Sequence, residues 1–179
     1  MRVIAGTFKG RRLKAPTWDG LRPTSDKLRE TLFNIVAARV EGARVLDGYA
    51  GTGAVGIEAL SRGAGHVTFV ETDPRAAALV EANLALCGAE GGYTIQRGDV
   101  ASVLRRLPAG AAFDLILLDP PYDVDAVRAL EAAASVLSPD GLVVLERATR
   151  REPEVPAALT RVRDLRSGDS TLTFMTRPG

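Results

Sequence analysis

The chain has 179 residues, 46% apolar and 25% charged, which fits one domain with a proper core and a small appendage. No apolar run is long enough to span a bilayer and no signal-peptide pattern opens the sequence, so a cytoplasmic protein without membrane contact is expected. One cysteine, Cys87, and one histidine, His66, exclude an internal disulfide and a zinc cluster, so no metal is expected.

The charge is unevenly spread. Net charge is +1, yet residues 1–30 hold eight basic and three acidic side chains while the remainder holds 15 and 19. A basic leader on a slightly acidic body is an electrostatic footprint for phosphate, although a solvated face accounts for a charge of this size almost as well. Arg2 to Phe8 and Arg11 to Ala15 read as two short strands joined around Lys9-Gly10, a β-hairpin that must dock on the body because two strands alone are marginal. Pro16 to Pro23 is a linker, in which Trp18 reads as a packing anchor rather than a stacking surface. Thr24 and Ser25 are N-cap candidates for a helix whose apolar stripe is Leu28, Leu32, Phe33, Ile35, Val36 and Val40.

From Arg44 onward strand and helix patterns alternate. Strands are predicted at about 44–49, 66–72, 93–98, 113–119 and 141–147, and helices at about 54–62, 74–87, 100–107 and 124–137. His66 simply opens a strand, Cys87 sits in a helix as a buried thiol, and Ser138-Pro139-Asp140-Gly141 reads as a link. Such alternation predicts an α/β fold with a parallel sheet covered by helices on both faces. Arg161–Leu165 and Ser170–Thr176 are too close for a parallel crossover, so they pair antiparallel as a hairpin at the end of the sheet.

The first strand leads into Asp47-Gly48-Tyr49-Ala50-Gly51-Thr52-Gly53-Ala54-Val55-Gly56. Gly51 to Gly56 matches the dinucleotide fingerprint, a weak signal alone, so an NAD-dependent oxidoreductase is one reading. Asp47 argues against it. At the strand end that carboxylate repels a pyrophosphate but attracts an ammonium or a sulfonium, and S-adenosylmethionine carries both together with an adenosine. Glu71, ending the next strand, is placed to accept from ribose hydroxyls, and Gly98-Asp99-Val100 after the third offers a carboxylate to an adenine amine. After the fourth strand comes Asp119-Pro120-Pro121-Tyr122. Two prolines remove two N–H donors and leave a rigid, acceptor-rich corner beside a flat ring, which suits a planar ligand with an amino group; a plain turn is the other reading.

Asp47–Gly53, Glu71, Gly98-Asp99 and Asp119–Tyr122 resemble the successive motifs of class I S-adenosylmethionine-dependent methyltransferases. Ile4-Ala5-Gly6, Gly10-Arg11-Arg12-Leu13, Leu21 to Asn34, Gly56 to Gly63 and Thr171-Leu172-Thr173 resemble more closely the bacterial small-subunit ribosomal RNA guanine-N2 methyltransferases. The resemblance implies a Rossmann-like fold with a mostly parallel seven-stranded sheet, an antiparallel C-terminal hairpin, and an N-terminal hairpin and helix. It implies two units: residues 1–23 as basic hairpin and linker, and 24–179 as the methyltransferase domain. Asp47, Gly48, Tyr49, Ala50, Gly51, Gly53, Glu71, Gly98, Asp99 and Val100 would bind the cofactor. Asp119, Pro120 and Tyr122 would carry the chemistry, with Asp119 and the Pro120 carbonyl holding the amine and Tyr122 stacking on the base. Lys9, Arg11, Arg12, Lys14 and Arg22 would hold phosphates of 16S ribosomal RNA, free or in a subunit assembly intermediate. A DNA adenine-N6 or cytosine-N4 methyltransferase would use a similar corner, and a non-catalytic RNA-binding module is a third class. A monomer is expected, since no apolar stripe is left unassigned.

Overall fold

Seven strands lie in one sheet of order β3-β2-β1-β4-β5-β7-β6 in the computed structural model, which describes residues 1–179. The strands are β1 Arg44–Gly48, β2 His66–Glu71, β3 Tyr93–Arg97, β4 Phe113–Leu118, β5 Leu137–Ala148, β6 Thr160–Ser167 and β7 Ser170–Thr176. The helices are α1 Asp26–Val36, α2 Ala54–Ser61, α3 Pro74–Cys87, α4 Val100–Arg105 and α5 Val127–Ser135. Strands β1 to β5 run parallel, while β7 pairs antiparallel with β5 and with β6, as the short Gly168-Asp169 connection requires.

Both faces of the sheet are covered, which explains why its central strands are apolar throughout. Val45, Phe69, Leu115, Leu117 and Val144 pack with α1, α2 and α3 in one core layer. Their neighbours Leu46, Val70, Ile116, Leu118 and Leu145 pack with α4 and α5 in the other. Ser25 caps α1 by accepting from the Leu28 N–H at 3.1 Å, and Asp99 caps α4 through Ser102. His66 opens β2 with a 2.9 Å hydrogen bond to Thr94, and Cys87 closes α3 buried, its thiol pushed up by that burial. No helix is long and apolar enough to cross a membrane.

Two local expectations are corrected. Residues 138–141 are not a link but a bulge within β5: Leu137 pairs with Phe113, and pairing resumes at Leu142 opposite Leu115. Ser138 donates to Asp114 and Arg39 donates to the Asp140 carbonyl, so the bulged residues are tied down instead of free. The N-terminal segment keeps a single antiparallel bridge, Arg2 with Arg12, in place of two strands. The hairpin keeps backbone bonds from the Val3 N–H to Arg11, the Gly10 N–H to Val3 and the Leu13 N–H to Met1, but other N–H groups turn to α2: Ile4 and Ala5 donate to the Glu58 carboxylate at 2.9 and 3.0 Å, and Thr7 and Phe8 donate to Ser61. Gly6 makes this docking possible, since a Cβ there would sit 1.8 Å from the Ser61 carbonyl oxygen.

Candidate active site

The five parallel strands end on one rim of the sheet, where open α/β folds bind ligands. Strand order β2-β1-β4-β5 and register bring Glu71, Asp47, Asp119 and Glu146 along that rim in turn. Leu118 pairs with Leu145, so the residues after each, Asp119 and Glu146, come side by side.

The glycine turn is built as its residues suggest. Gly53 has φ +81 at the N-cap of α2, and a Cβ there would press on Val80 at 3.1 Å. Tyr49, at φ +62, is the one non-glycine residue with positive φ, so the turn stores strain beside the rim. Its hydroxyl is pushed up to about 12, first by burial and then by Asp99. Tyr49 is half-buried, and Gly48, Ala50 and Gly51 are buried. Leu21 of the linker lies over Gly51, and Trp18 lies half-buried under the Arg75 guanidinium, 4.8 Å from ring centre to Cζ. The linker therefore crosses the rim from the start of α3 to Thr24, with Trp18 serving as its anchor.

Asp47 is 4% exposed and accepts from the Gly56 N–H at 2.9 Å. Burial pushes its carboxyl up to about 8, the Gly56 hydrogen bond opposes this, and Glu71 adds to it. Glu71 holds two corners together: one oxygen accepts from the Gly51 N–H and the other from the Asp73 N–H, both at 2.9 Å. Asp99 is exposed, and one of its oxygens takes both the N–H and the hydroxyl of Ser102. Gly98 precedes it at φ +147, and Val100 turns into the core.

At the Asp119 corner the Pro121 carbonyl accepts from Val124, but the Pro120 carbonyl has no backbone partner. Tyr122 is 44% exposed and, with Pro120 and Pro121, lines a cavity of about 340 Å³ that reaches Glu146 and Arg151. Asp119 receives only a long contact from the Thr24 hydroxyl, 3.4 Å, and the same hydroxyl lies 3.5 Å from Glu146. Burial, then the Glu146 and Asp47 carboxylates, hold Asp119 well above the usual carboxylate range against the pull of Thr24. Glu146 is raised too, mainly by burial, while the Thr24 and Ser170 hydroxyls pull it down. The chain's ion pairs all involve other carboxylates, so no cation neutralises Asp47, Asp119 or Glu146. Buried carboxylates are ordinarily paired, and this set fits a ligand that brings positive charge and hydrogen-bond donors.

Glu146 and Thr24 are the rim residues that sequence reasoning passed over as site residues. The signal was present in Glu146, a carboxylate near the end of an apolar strand, as it was in Asp47 and Asp119. No glycine or proline turn follows it to draw attention. Lys9, Arg11, Arg12, Lys14 and Arg22 are all exposed and take no part in an ion pair, so their charge is available to a partner.

The family model described as conserved hypothetical protein 95 matches residues 1–176. YlbH of Bacillus subtilis strain 168 is 40% identical over 163 residues, covering 87% of this chain and 86% of that protein. Ribosomal RNA small subunit methyltransferase D of Haemophilus influenzae is 33% identical over 173 residues, covering 94% of this chain and 89% of its own. The solved structure of yhhF from Escherichia coli superposes with a TM-score of 0.84 at 32% identity, covering 99% of this chain and 97% of that one.

Proposed function

The chain belongs to the conserved hypothetical protein 95 family and to the family of ribosomal RNA small subunit methyltransferase D, and from that premise we propose that it transfers a methyl group from S-adenosylmethionine to the exocyclic N2 amine of a guanine in 16S ribosomal RNA. The observation that carries this reading is the Asp119 corner: an unneutralised carboxylate and a free Pro120 carbonyl beside an exposed ring and a cavity.

Asp47 and the turn Gly48, Tyr49, Ala50, Gly51 and Gly53 hold the amino-acid end of the cofactor. Glu71, whose Oε1 keeps a lone pair beyond the Gly51 N–H and whose Oε2 has only a long contact from the Thr72 hydroxyl beside the Asp73 N–H, takes the ribose hydroxyls, and Gly98, Asp99 and Val100 border the adenine. S-adenosylmethionine supplies a methyl group already activated by positive sulfur. The dinucleotide reading is disfavoured because the first N–H groups of α2 are occupied, Ala54 by the Thr52 hydroxyl and Gly56 by Asp47.

An aromatic amine is a poor nucleophile because its lone pair is delocalised into the ring. Asp119 and the Pro120 carbonyl accept its two hydrogens, draw the nitrogen towards tetrahedral geometry and aim its lone pair, so orientation supplies much of the acceleration. Its raised affinity for protons lets Asp119 accept the proton released on transfer, as bulk water also can. Tyr122 stacks on the base, which must be unstacked from the RNA to reach the corner. Lys9, Arg11, Arg12, Lys14 and Arg22 hold the flanking phosphates.

Tritiated methyl transfer onto naked 16S RNA, small-subunit assembly intermediates and DNA, followed by nucleoside analysis, tests the reading. Label in N2-methylguanosine is the expected result. Label in N6-methyladenine or N4-methylcytosine of DNA would replace this function with the DNA reading, and RNA binding without label would leave only a binding module.

A further inference from the structure

Glu146 is the rim carboxylate that the mechanism above does not use. It borders both the Asp119 depression and the 340 Å³ cavity beside Tyr122, so it stands between the reacting corner and the space a base would fill. Its neighbour Arg147 cannot neutralise it. That guanidinium donates to Thr173, to the carbonyls of Thr149 and Arg151, and to Asp164. The Thr24 hydroxyl has one hydrogen to share between Glu146 and Asp119, and the Ser170 hydroxyl adds one at Glu146, so the four oxygens of the two carboxylates meet at most two donors. Two adjoining carboxylates short of donors need a partner that presents several donors along one edge.

The three bases with an exocyclic amine differ in this respect. Guanine presents N1–H beside its N2 amine. Adenine and cytosine present a bare ring nitrogen, N1 or N3, beside theirs. Resting on the methyl-transfer reading above, we infer that Glu146 is a specificity-determining residue: its carboxylate accepts from guanine N1–H while Asp119 accepts from the N2 amine. The lone pair of adenine N1 or cytosine N3 would face the Glu146 carboxylate with no hydrogen between them. Both groups would then be buried unsatisfied, and those bases are rejected.

The test replaces the target guanosine, in the RNA that the wild type methylates, by 2-aminopurine riboside. That base keeps the amine at C2 but has a bare N1. Wild-type protein should methylate guanosine with a kcat/KM at least about tenfold above that for 2-aminopurine, the scale expected when a buried polar group loses its partner. Glutamine offers an N–H as well as a carbonyl, so Glu146→Gln should lower the guanosine-to-2-aminopurine ratio by at least about tenfold, while Glu146→Asp should keep the preference for guanosine. A ratio unchanged in Glu146→Gln, with S-adenosylmethionine binding and melting temperature retained, would remove Glu146 from base reading. Equal use of the two bases by the wild type would do so whatever the variants' folding. Failure of the wild type to form N2-methylguanosine at all would instead overturn the underlying reading, so the two failures are told apart by the wild-type assay alone.

Discussion

Asp119 and Asp47 answer to the same physics and should fail in different ways. If Asp119 holds the amine as proposed, Asp119→Ala should lower turnover by at least about a hundredfold while S-adenosylmethionine affinity, read by calorimetry, stays within about threefold. Unchanged turnover in that variant would take Asp119 out of the mechanism. Asp47 is proposed to act before chemistry, in holding the cofactor. Its carboxyl rises from an ordinary 3.8 to about 8 on folding, so its neutral form favours the folded state. That contribution is complete below about pH 4 and is lost as pH rises through about 8. Thermal melting of the free protein should therefore weaken between roughly pH 4 and pH 8 and level off above that, and Asp47→Asn should flatten that slope. An identical slope in the variant would place the titration elsewhere. Both carboxylates stand out in the sequence because each comes at the end of an otherwise apolar strand. Asp99 shows the limit of the same signal, since one of its oxygens is spent on capping α4.

Among the elements, the N-terminal segment departs most from its sequence pattern. Arg2–Phe8 and Arg11–Ala15 alternate like strands and keep a few cross-hairpin bonds, yet a complete ladder would leave the buried Glu58 and Ser61 of α2 without the donors they take from Ile4, Ala5, Thr7 and Phe8. The tertiary partner outcompetes the local one. Arg29 of α1 completes the joint: fully buried, it lies 3.5 Å from Glu58 and also donates to Asp26 and to the Arg2 carbonyl. Glu58→Ala should thus remove the buried partner of Arg29, leaving its guanidinium only the exposed Asp26 as a counter-charge, and cost about 3–5 kcal/mol in denaturant unfolding. The same variant should expose residues 1–15 to proteolysis. A loss below about 1 kcal/mol, typical of an exposed pair, would show that the joint does not hold the leader. The bulge at residues 138–141 was hidden for a different reason, because Pro139-Asp140-Gly141 carries turn residues that β5 accommodates at its irregular start.

The whole molecule sets a basic leader against a rim of carboxylates, and the two should respond to salt differently. If Arg11 and Arg12 each hold a phosphate, reversing both to Glu should weaken RNA binding and reduce the slope of log affinity against log salt by roughly one for each phosphate no longer held. Binding and slope that both stay put would move the RNA surface elsewhere. The exposed large apolar residues, Leu86, Tyr122, Val124 and Val162, form no broad face apart from the Tyr122 corner, and sedimentation should report a monomer. The order of the sheet was legible only in part. Periodicity gave the alternation and the closing hairpin, but only the pairing of Leu118 with Leu145 reveals that Glu146 stands beside Asp119. Pairing between distant strands leaves no local pattern. The central claim is that this corner methylates the N2 amine of a small-subunit RNA guanine. Its most direct test is mass spectrometry of N2-methylguanosine in small-subunit RNA from cells lacking this protein, complemented with wild-type or Asp119→Ala protein. The account predicts one N2-methylguanosine lost in the deletion, restored by the wild type and not restored by Asp119→Ala; a full complement in the deletion, or restoration by the variant, would contradict it.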